Sequence, residues 1–149
     1  MKKLFIYYSL TGNGDLVAEF LKGSNFEIRK VSEKEKMPKK FFWMVLSGGF
    51  RASIGAKAKL VNYDNNVSDF DEILIGSPIW NGRFPPVINS VLKETNLKDK
   101  KIAFIFYSGS GEGKKAEEKV KKEFPNANIV FLKDPKKYPE QLKKVEIFR

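Results

Sequence analysis

Residues 4–14 have the sequence Leu4-Phe5-Ile6-Tyr7-Tyr8-Ser9-Leu10-Thr11-Gly12-Asn13-Gly14. The first five residues are apolar and rich in aromatics, a pattern typical of a buried strand. Thr11–Gly14 interrupts that strand with small and polar residues. From Asp15 to Lys22 the apolar residues recur at helical spacing, and Gly23 is a natural stop for a helix. The stretch therefore predicts a strand, a short polar loop and a helix.

The same alternation continues along the chain. Charged or Gly/Pro-containing segments separate the later apolar runs, as expected when strands and helices alternate. Further strands are predicted at Phe26–Val31, Glu72–Gly76, Lys101–Tyr107 and Ala127–Leu132, and further helices at Phe41–Leu46, Pro85–Leu92, Lys114–Phe124 and 138–148. This pattern predicts an α/β fold, a doubly wound five-stranded parallel sheet with helices on both faces. A chain of 149 residues fits a single domain over residues 1–149.

Composition excludes several classes of site. The chain contains no Cys and no His, which rules out disulfides, thiolate metal sites, Cys nucleophiles and Ser-His triads. The longest apolar runs, such as Phe41–Leu46, are far shorter than a membrane span. No signal-peptide pattern is present, because Lys2-Lys3 leads only to the short run Leu4–Tyr8. We therefore expect a cytoplasmic protein without a membrane span.

The charge is strongly basic and unevenly distributed. Lys and Arg number 28 against 18 Asp and Glu, a formal net charge of +10. Residues 30–59 and 114–149 hold most of the excess, whereas residues 60–99 are net acidic. The excess is either a solvated lysine-rich surface or a surface for nucleic acid, anionic lipid or an acidic protein. Because only Arg29, Arg51, Arg83 and Arg149 carry the better fork for phosphates and bases, no specific nucleic-acid partner is expected.

Three unusual loops follow predicted strands one, three and four. Ligands of doubly wound sheets bind beyond the carboxyl ends of the strands, so these loops are expected to form the site. Their sequences are Ser9-Leu10-Thr11-Gly12-Asn13-Gly14, Ser77-Pro78-Ile79-Trp80-Asn81-Gly82 and Ser108-Gly109-Ser110-Gly111-Glu112-Gly113.

Each loop has a functional and a purely structural interpretation. The first combines hydroxyls, glycines and a helix N-terminus, which suits an anion, or it is a tight turn capped by Thr11 or Asn13. In the second, Trp80 either stacks on a planar ligand or folds back over the sheet edge. The three glycines of the third loop let its backbone contact the edge of a heterocycle, or they make a flexible connection.

Together, the three loops resemble those of the flavodoxin family. The first is similar to the family's Ser/Thr-x-Thr-Gly-Asn-Thr phosphate loop, with Gly14 in place of the final Thr. The second resembles the loop that lays a Trp on the flavin, and the third resembles the Gly-rich pyrimidine-binding loop of the short-chain group. The resemblance implies a sheet of strand order 2-1-3-4-5 that binds FMN noncovalently and carries electrons.

The resemblance also implies roles for the loop residues. Ser9, Thr11, Gly12, Asn13 and Gly14 would hold the FMN phosphate, and Trp80 would stack on the isoalloxazine within the Ser77–Gly82 loop. Asn81 and Gly82 would line the reactive edge of the flavin. Ser108–Gly113 would hold its pyrimidine edge. No catalytic residue is implied. Because the third loop contains no aromatic residue, a second stacking ring would have to come from one of Tyr8, Phe84 and Tyr107.

Three functions remain open at this point. The first is an electron carrier that serves a redox partner protein or a small-molecule acceptor. The second is an FMN-dependent NAD(P)H:quinone or protoporphyrinogen-type oxidoreductase, with Arg83 and the Lys30–Lys59 segment as candidate anion contacts. The third is a nucleic-acid or anionic-surface binder that has lost its flavin. Most flavodoxins are acidic and this chain is basic, so the family's partners cannot be carried over directly.

Overall fold

A parallel sheet forms the centre of the molecule. The computed structural model describes residues 1–34, 39–40, 43 and 57–149. Within these ranges the sheet has five strands, all parallel, in the order β2-β1-β3-β4-β5. They are β1 (Lys3–Tyr7), β2 (Phe26–Lys30), β3 (Glu72–Pro78), β4 (Lys101–Ser108) and β5 (Asn128–Lys133). The predicted fold class and strand order are confirmed.

Helical elements cover both faces of the sheet. In the described part of the chain they are α1 (Asn13–Leu21), α2 (Pro86–Glu94), α3 (Lys114–Glu123) and a C-terminal 3₁₀ segment (Pro139–Phe148). Side chains alternate along β1, so Phe5 and Tyr7 pack with α1 and the 3₁₀ segment. Leu4 and Ile6 face the opposite way, toward α2 and α3. Among the described residues, none of the helices has the length and apolar character needed to cross a bilayer.

At Gly76 the packing of the central strands leaves no room for a Cβ atom. Tyr7 of β1 pairs with Gly76 of β3. A Cβ atom built on Gly76 would lie 2.6 Å from Cζ of Phe5 and 2.9 Å from Cβ of Tyr7. Phe5 itself is fully buried and stacks on Tyr7, with ring centroids 5.1 Å apart. Gly76 is therefore what allows an aromatic pair on β1 to pack over β3.

Several boundaries differ from the predicted ones. β3 and β4 pair as far as Pro78 with Tyr107, so Ser77, Pro78 and Ser108 end strands rather than begin loops. α1 begins at Asn13, which puts Asn13 and Gly14 in its first turn. The predicted last helix is a 3₁₀ segment, with i→i+3 bonds such as that from the N–H of Arg149 to the carbonyl of Glu146. The predicted helix Phe41–Leu46 lies outside the described residues except for Trp43, which is helical.

Candidate functional site

The first loop is shaped by backbone groups. Gly12 adopts a left-handed conformation with φ of 99°, and its carbonyl accepts the N–H of Leu16 at 3.1 Å as α1 begins. The N–H of Gly14 donates to Oγ of Ser9 at 3.1 Å. The N-cap residue is Gly12, which has no side chain, and neither Thr11 nor Asn13 caps the helix, so the predicted alternative of a cap by one of them is wrong.

The start of α1 leaves donors unused. Among the described residues, the backbone N–H groups of Gly12, Asn13 and Asp15 have no acceptor. The first N–H groups of any helix lack intrahelical partners and carry the positive end of its dipole. A cluster of such donors next to two glycines suits an anion, and a phosphate in particular.

Tyr107 fills the space beside Gly14. A Cβ atom on Gly14 would overlap the Tyr107 hydroxyl and would lie 2.9 Å from both Cζ of Tyr107 and Cδ2 of Tyr7. The Tyr107 hydroxyl donates to the carbonyl of Tyr8. Burial raises the pKa of Tyr107 well above its ordinary value, so the hydroxyl keeps the proton that it donates. Gly14, the one departure from the flavodoxin phosphate-loop pattern, is therefore required by this ring.

An ion pair accompanies the first turn of α1. Oδ1 of Asp15 accepts hydrogen bonds from the Tyr7 hydroxyl at 2.9 Å and from Nζ of Lys30 at 2.7 Å. Burial raises the pKa of Asp15, but the hydrogen bonds from Lys30 and Tyr7 outweigh burial and hold the pKa below its ordinary value of 3.8. Lys30 thereby offsets a negative charge that would otherwise oppose an anion at this helix terminus.

The second loop is a rigid two-residue turn. The N–H of Trp80 donates to the carbonyl of Arg83 at 2.9 Å, and the N–H of Arg83 donates to the carbonyl of Trp80 at 3.0 Å. Asn81 and Gly82 both have positive φ, at 50° and 75°, which is the pattern of a type I′ turn. The carbonyl of Gly82 accepts the N–H of Ala116 at 2.8 Å, so the turn is fastened to the first turn of α3.

Trp80 packs inward. Its side chain is 7% exposed, and its ring meets Tyr8 edge-on with centroids 6.1 Å apart. Tyr8 is held in turn by a hydrogen bond from its hydroxyl to Oε1 of Glu33 at 2.8 Å. Trp80 belongs to the apolar cluster on the α2–α3 face and also lines the cavity described below. The fold-back interpretation therefore describes how Trp80 packs, whereas stacking on a planar ligand stays a prediction, for which its place in the cavity wall leaves room.

The third loop closes on itself. Oγ of Ser108 accepts the N–H groups of Gly111 and Glu112 at 3.0 and 3.1 Å and donates to the carbonyl of Glu112 at 2.9 Å. Gly113 packs under the second loop, because a Cβ atom there would lie 3.1 Å from Ile79. Gly109 faces open space. The N–H groups of Gly111 and Glu112 are therefore engaged within the loop itself.

A cavity of about 300 Å³ joins the three loops at the carboxyl ends of the strands. The predicted residues that line it are Leu10, Thr11, Asn13, Pro78, Ile79, Trp80, Ser108 and Gly109. Those that do not line it are Ser9, Gly12, Gly14, Ser77, Asn81, Gly82, Ser110, Gly111, Glu112 and Gly113. Of the three candidate stacking rings, Tyr107 lines the cavity, whereas Phe84 packs against the rings of Phe104 and Phe106.

The cavity also contains two residues that the sequence analysis missed. Asp134 and Lys136 lie in the loop after β5 and complete its wall. The N–H of Asp134 donates to the carbonyl of Ser108 at 2.9 Å, which ties this loop to the end of β4. The available signal was the strand order, because every loop after a parallel strand emerges at the same edge of the sheet.

Comparisons with known proteins agree with this architecture. The sequence profile of the family described as Flavodoxin matches residues 50–146. A comparison with curated protein sequences finds no match. The structure is similar to a provisionally assigned flavoprotein of Bacteroides eggerthii, with TM-score 0.66 and 21% identity over 86% of this chain and 84% of that one. It is also similar to a flavoprotein of Lactobacillus acidophilus in complex with FMN, with TM-score 0.57 and 22% identity over 87% and 89% of the two chains.

Proposed function

Because the chain belongs to the flavodoxin family, we propose that it is a cytoplasmic flavoprotein that binds FMN noncovalently and carries electrons. A redox partner protein or a small-molecule acceptor would receive them. The observation that supports this proposal is the cavity between the three loops, which is lined by aromatic and apolar side chains and by Asn13, whose backbone N–H has no acceptor among the described residues. The L. acidophilus relative, which contains FMN, supports the choice of cofactor.

The donor set of the first loop fits the phosphate of FMN. We assign its binding to Ser9, Thr11, Gly12, Asn13 and Gly14. The unpartnered N–H groups at the start of α1 donate to phosphate oxygens, and Gly12 and Gly14 let the backbone approach them closely. Asn13 accepts the N–H of Lys136 through its Oδ1 at 2.9 Å, which leaves its amide NH₂ to donate.

The remaining walls fit a flat, mostly apolar ring system. Leu10, Pro78, Ile79, Trp80 and Tyr107 supply the apolar surface, and a cavity of about 300 Å³ lies at the lower end of the range for small-molecule sites. The isoalloxazine supplies the redox chemistry when bound. The protein would hold and orient it, with the backbone of Ser108 and Gly109, which line the cavity, next to its polar edges.

The proposal is tested by reconstitution of the apoprotein with FMN. The chain has two tryptophans, so the variant Trp43→Phe leaves Trp80 as the only one. We expect saturable 1:1 binding of FMN, visible flavin absorbance on the purified complex and strong quenching of Trp80 fluorescence. A folded protein that takes up no FMN would refute the proposal.

A second assay separates a carrier from an enzyme. The electron-carrier function predicts little or no turnover of NADH or NADPH by the FMN-loaded protein. A steady rate with NAD(P)H and a quinone would instead support the oxidoreductase alternative, for which Arg83, half-buried at the end of the second loop's turn, and the Lys30–Lys59 segment are the candidate anion contacts.

A further inference from the structure

The side chain of Lys136, in the loop after β5, contacts the first loop. Its Nζ lies 3.3 Å from the carbonyl oxygen of Thr11, and a Cβ atom built on Gly12 would lie 3.8 Å from that Nζ. Its backbone N–H donates to Oδ1 of Asn13 at 2.9 Å, so the β5 loop is fastened to the start of α1 at two points. The ammonium therefore lies beside the N–H groups that have no acceptor.

Among the described residues the ammonium of Lys136 forms no ion pair, and its hydrogen bond is to the neutral carbonyl of Thr11. The nearby Lys133 and Lys137 differ in this respect. Their Nζ atoms lie over the ring of Tyr138, 5.5 and 5.4 Å from its centroid. An ammonium has three donors, so Lys136 can keep Thr11 and still bind an anion.

We propose that Lys136 binds the phosphate of FMN and makes the site prefer FMN over riboflavin, which lacks the phosphate. This inference rests on the proposed function. The physical reason is a charge-assisted hydrogen bond to a dianion, about twice as strong as one between neutral groups. Lys136 thereby offsets the hydroxyl that the loop lacks at Gly14, where Tyr107 leaves no room for a side chain. The two backbone tethers hold the loop in place before the ligand arrives, which lowers the entropic cost of binding.

The test compares Lys136→Met with Lys137→Met, which removes the same charge from the adjacent position. Each apoprotein is titrated with FMN and with riboflavin in phosphate-free buffer, with Trp80 fluorescence as the signal. We expect Lys136→Met to weaken FMN binding by about ten- to a hundredfold and to leave riboflavin binding unchanged. Lys137→Met changes neither affinity, and Lys136→Arg keeps most of the preference for FMN.

The outcomes separate this inference from the proposed function. Failure of the unaltered protein to bind FMN would overturn both. Normal FMN binding by the unaltered protein together with unchanged FMN affinity in Lys136→Met would overturn the inference alone. An equal loss of FMN and riboflavin affinity would also overturn it, because it would mean that Lys136 only supports the loop. Circular dichroism checks that each variant is folded, and Lys136→Gln repeats the comparison with a polar side chain.

Discussion

Two cavities in the described part of the chain differ in what their polar groups do. The larger, about 510 Å³, lies near the amino ends of β1 and β2 and is lined by Lys3, Phe26 and Arg29 among others. One cation that lines it, Arg29, has both ion-pair and hydrogen-bond partners within the protein. The Arg29 guanidinium pairs with Glu27 at 2.8 Å and Asp64 at 3.3 Å and donates to the carbonyls of Asp64 and Asn66.

The smaller cavity, at the carboxyl ends of the strands, keeps its donors free. Among the described residues, the N–H groups of Gly12, Asn13 and Asp15 have no acceptor, and the ammonium of Lys136 contacts a neutral carbonyl and forms no ion pair. Cavity size alone favours the amino ends of the strands, whereas unpartnered donors and strand direction favour the carboxyl ends, where we propose the site. The following tests break or sharpen this contrast.

Removal of Trp80 is expected to have the largest effect. Trp80 is a wall of the smaller cavity and also part of the buried core beside Tyr8. Trp80→Ala should lower the free energy of unfolding by about 3–5 kcal/mol, the usual loss for a buried Trp. Urea unfolding followed by circular dichroism measures it, and Trp80→Phe should lose less than half as much. A loss below about 1 kcal/mol would show that the ring does not support the core.

Substitution of Gly14 should have the next largest effect. The added methyl of Gly14→Ala meets the rings of Tyr107 and Tyr7, and overpacking of this kind costs about 1–3 kcal/mol. The loop also moves, so FMN binding should weaken. The matched control is Gly109→Ala in the third loop, where a Cβ has nothing within 4 Å and the stability should change by less than about 0.5 kcal/mol. Equal stability of the two variants would contradict the packing at Gly14.

Much of this arrangement could be predicted from sequence, and the missing part has a physical reason. Strand runs and the three loops are local patterns, and the parallel topology then brings the loops to one edge. The contact of Lys136 with Asn13 joins residues 123 positions apart, so no local pattern indicates it. The inward position of Trp80 likewise depends on Tyr8 and Glu33, which are distant in sequence.

A substitution in the larger cavity should affect stability and not FMN binding. Arg29→Met removes two hydrogen bonds to backbone carbonyls and the contact with the Phe70 ring, whose centroid is 5.2 Å from the guanidinium carbon. We expect a loss of about 1–2 kcal/mol in the free energy of unfolding. FMN affinity, measured by titration of Trp80 fluorescence, should stay within a factor of about two, well under 1 kcal/mol. A large fall in FMN affinity would mean that the cavities are not independent.

The smallest effect is expected at Asp15, and it should depend on pH. The folded pKa of Asp15 lies below its ordinary value of 3.8, so the carboxylate stabilises the fold above that pH and loses this contribution as the pH falls through the folded pKa. Asp15→Asn should therefore cost less than about 1 kcal/mol at pH 7, because Asp15 and Lys30 are nearly half exposed and solvent screens the pair. As the pH falls below 3.8 and through the folded pKa, the variant and the unaltered protein should converge in stability. Lys30→Met, which removes the strongest hydrogen bond to Asp15, should likewise make the free energy of unfolding depend less steeply on pH at the acid end. Urea unfolding between pH 2.5 and 7 measures both curves, and an unchanged slope in both variants would show that the pair contributes nothing to the start of α1.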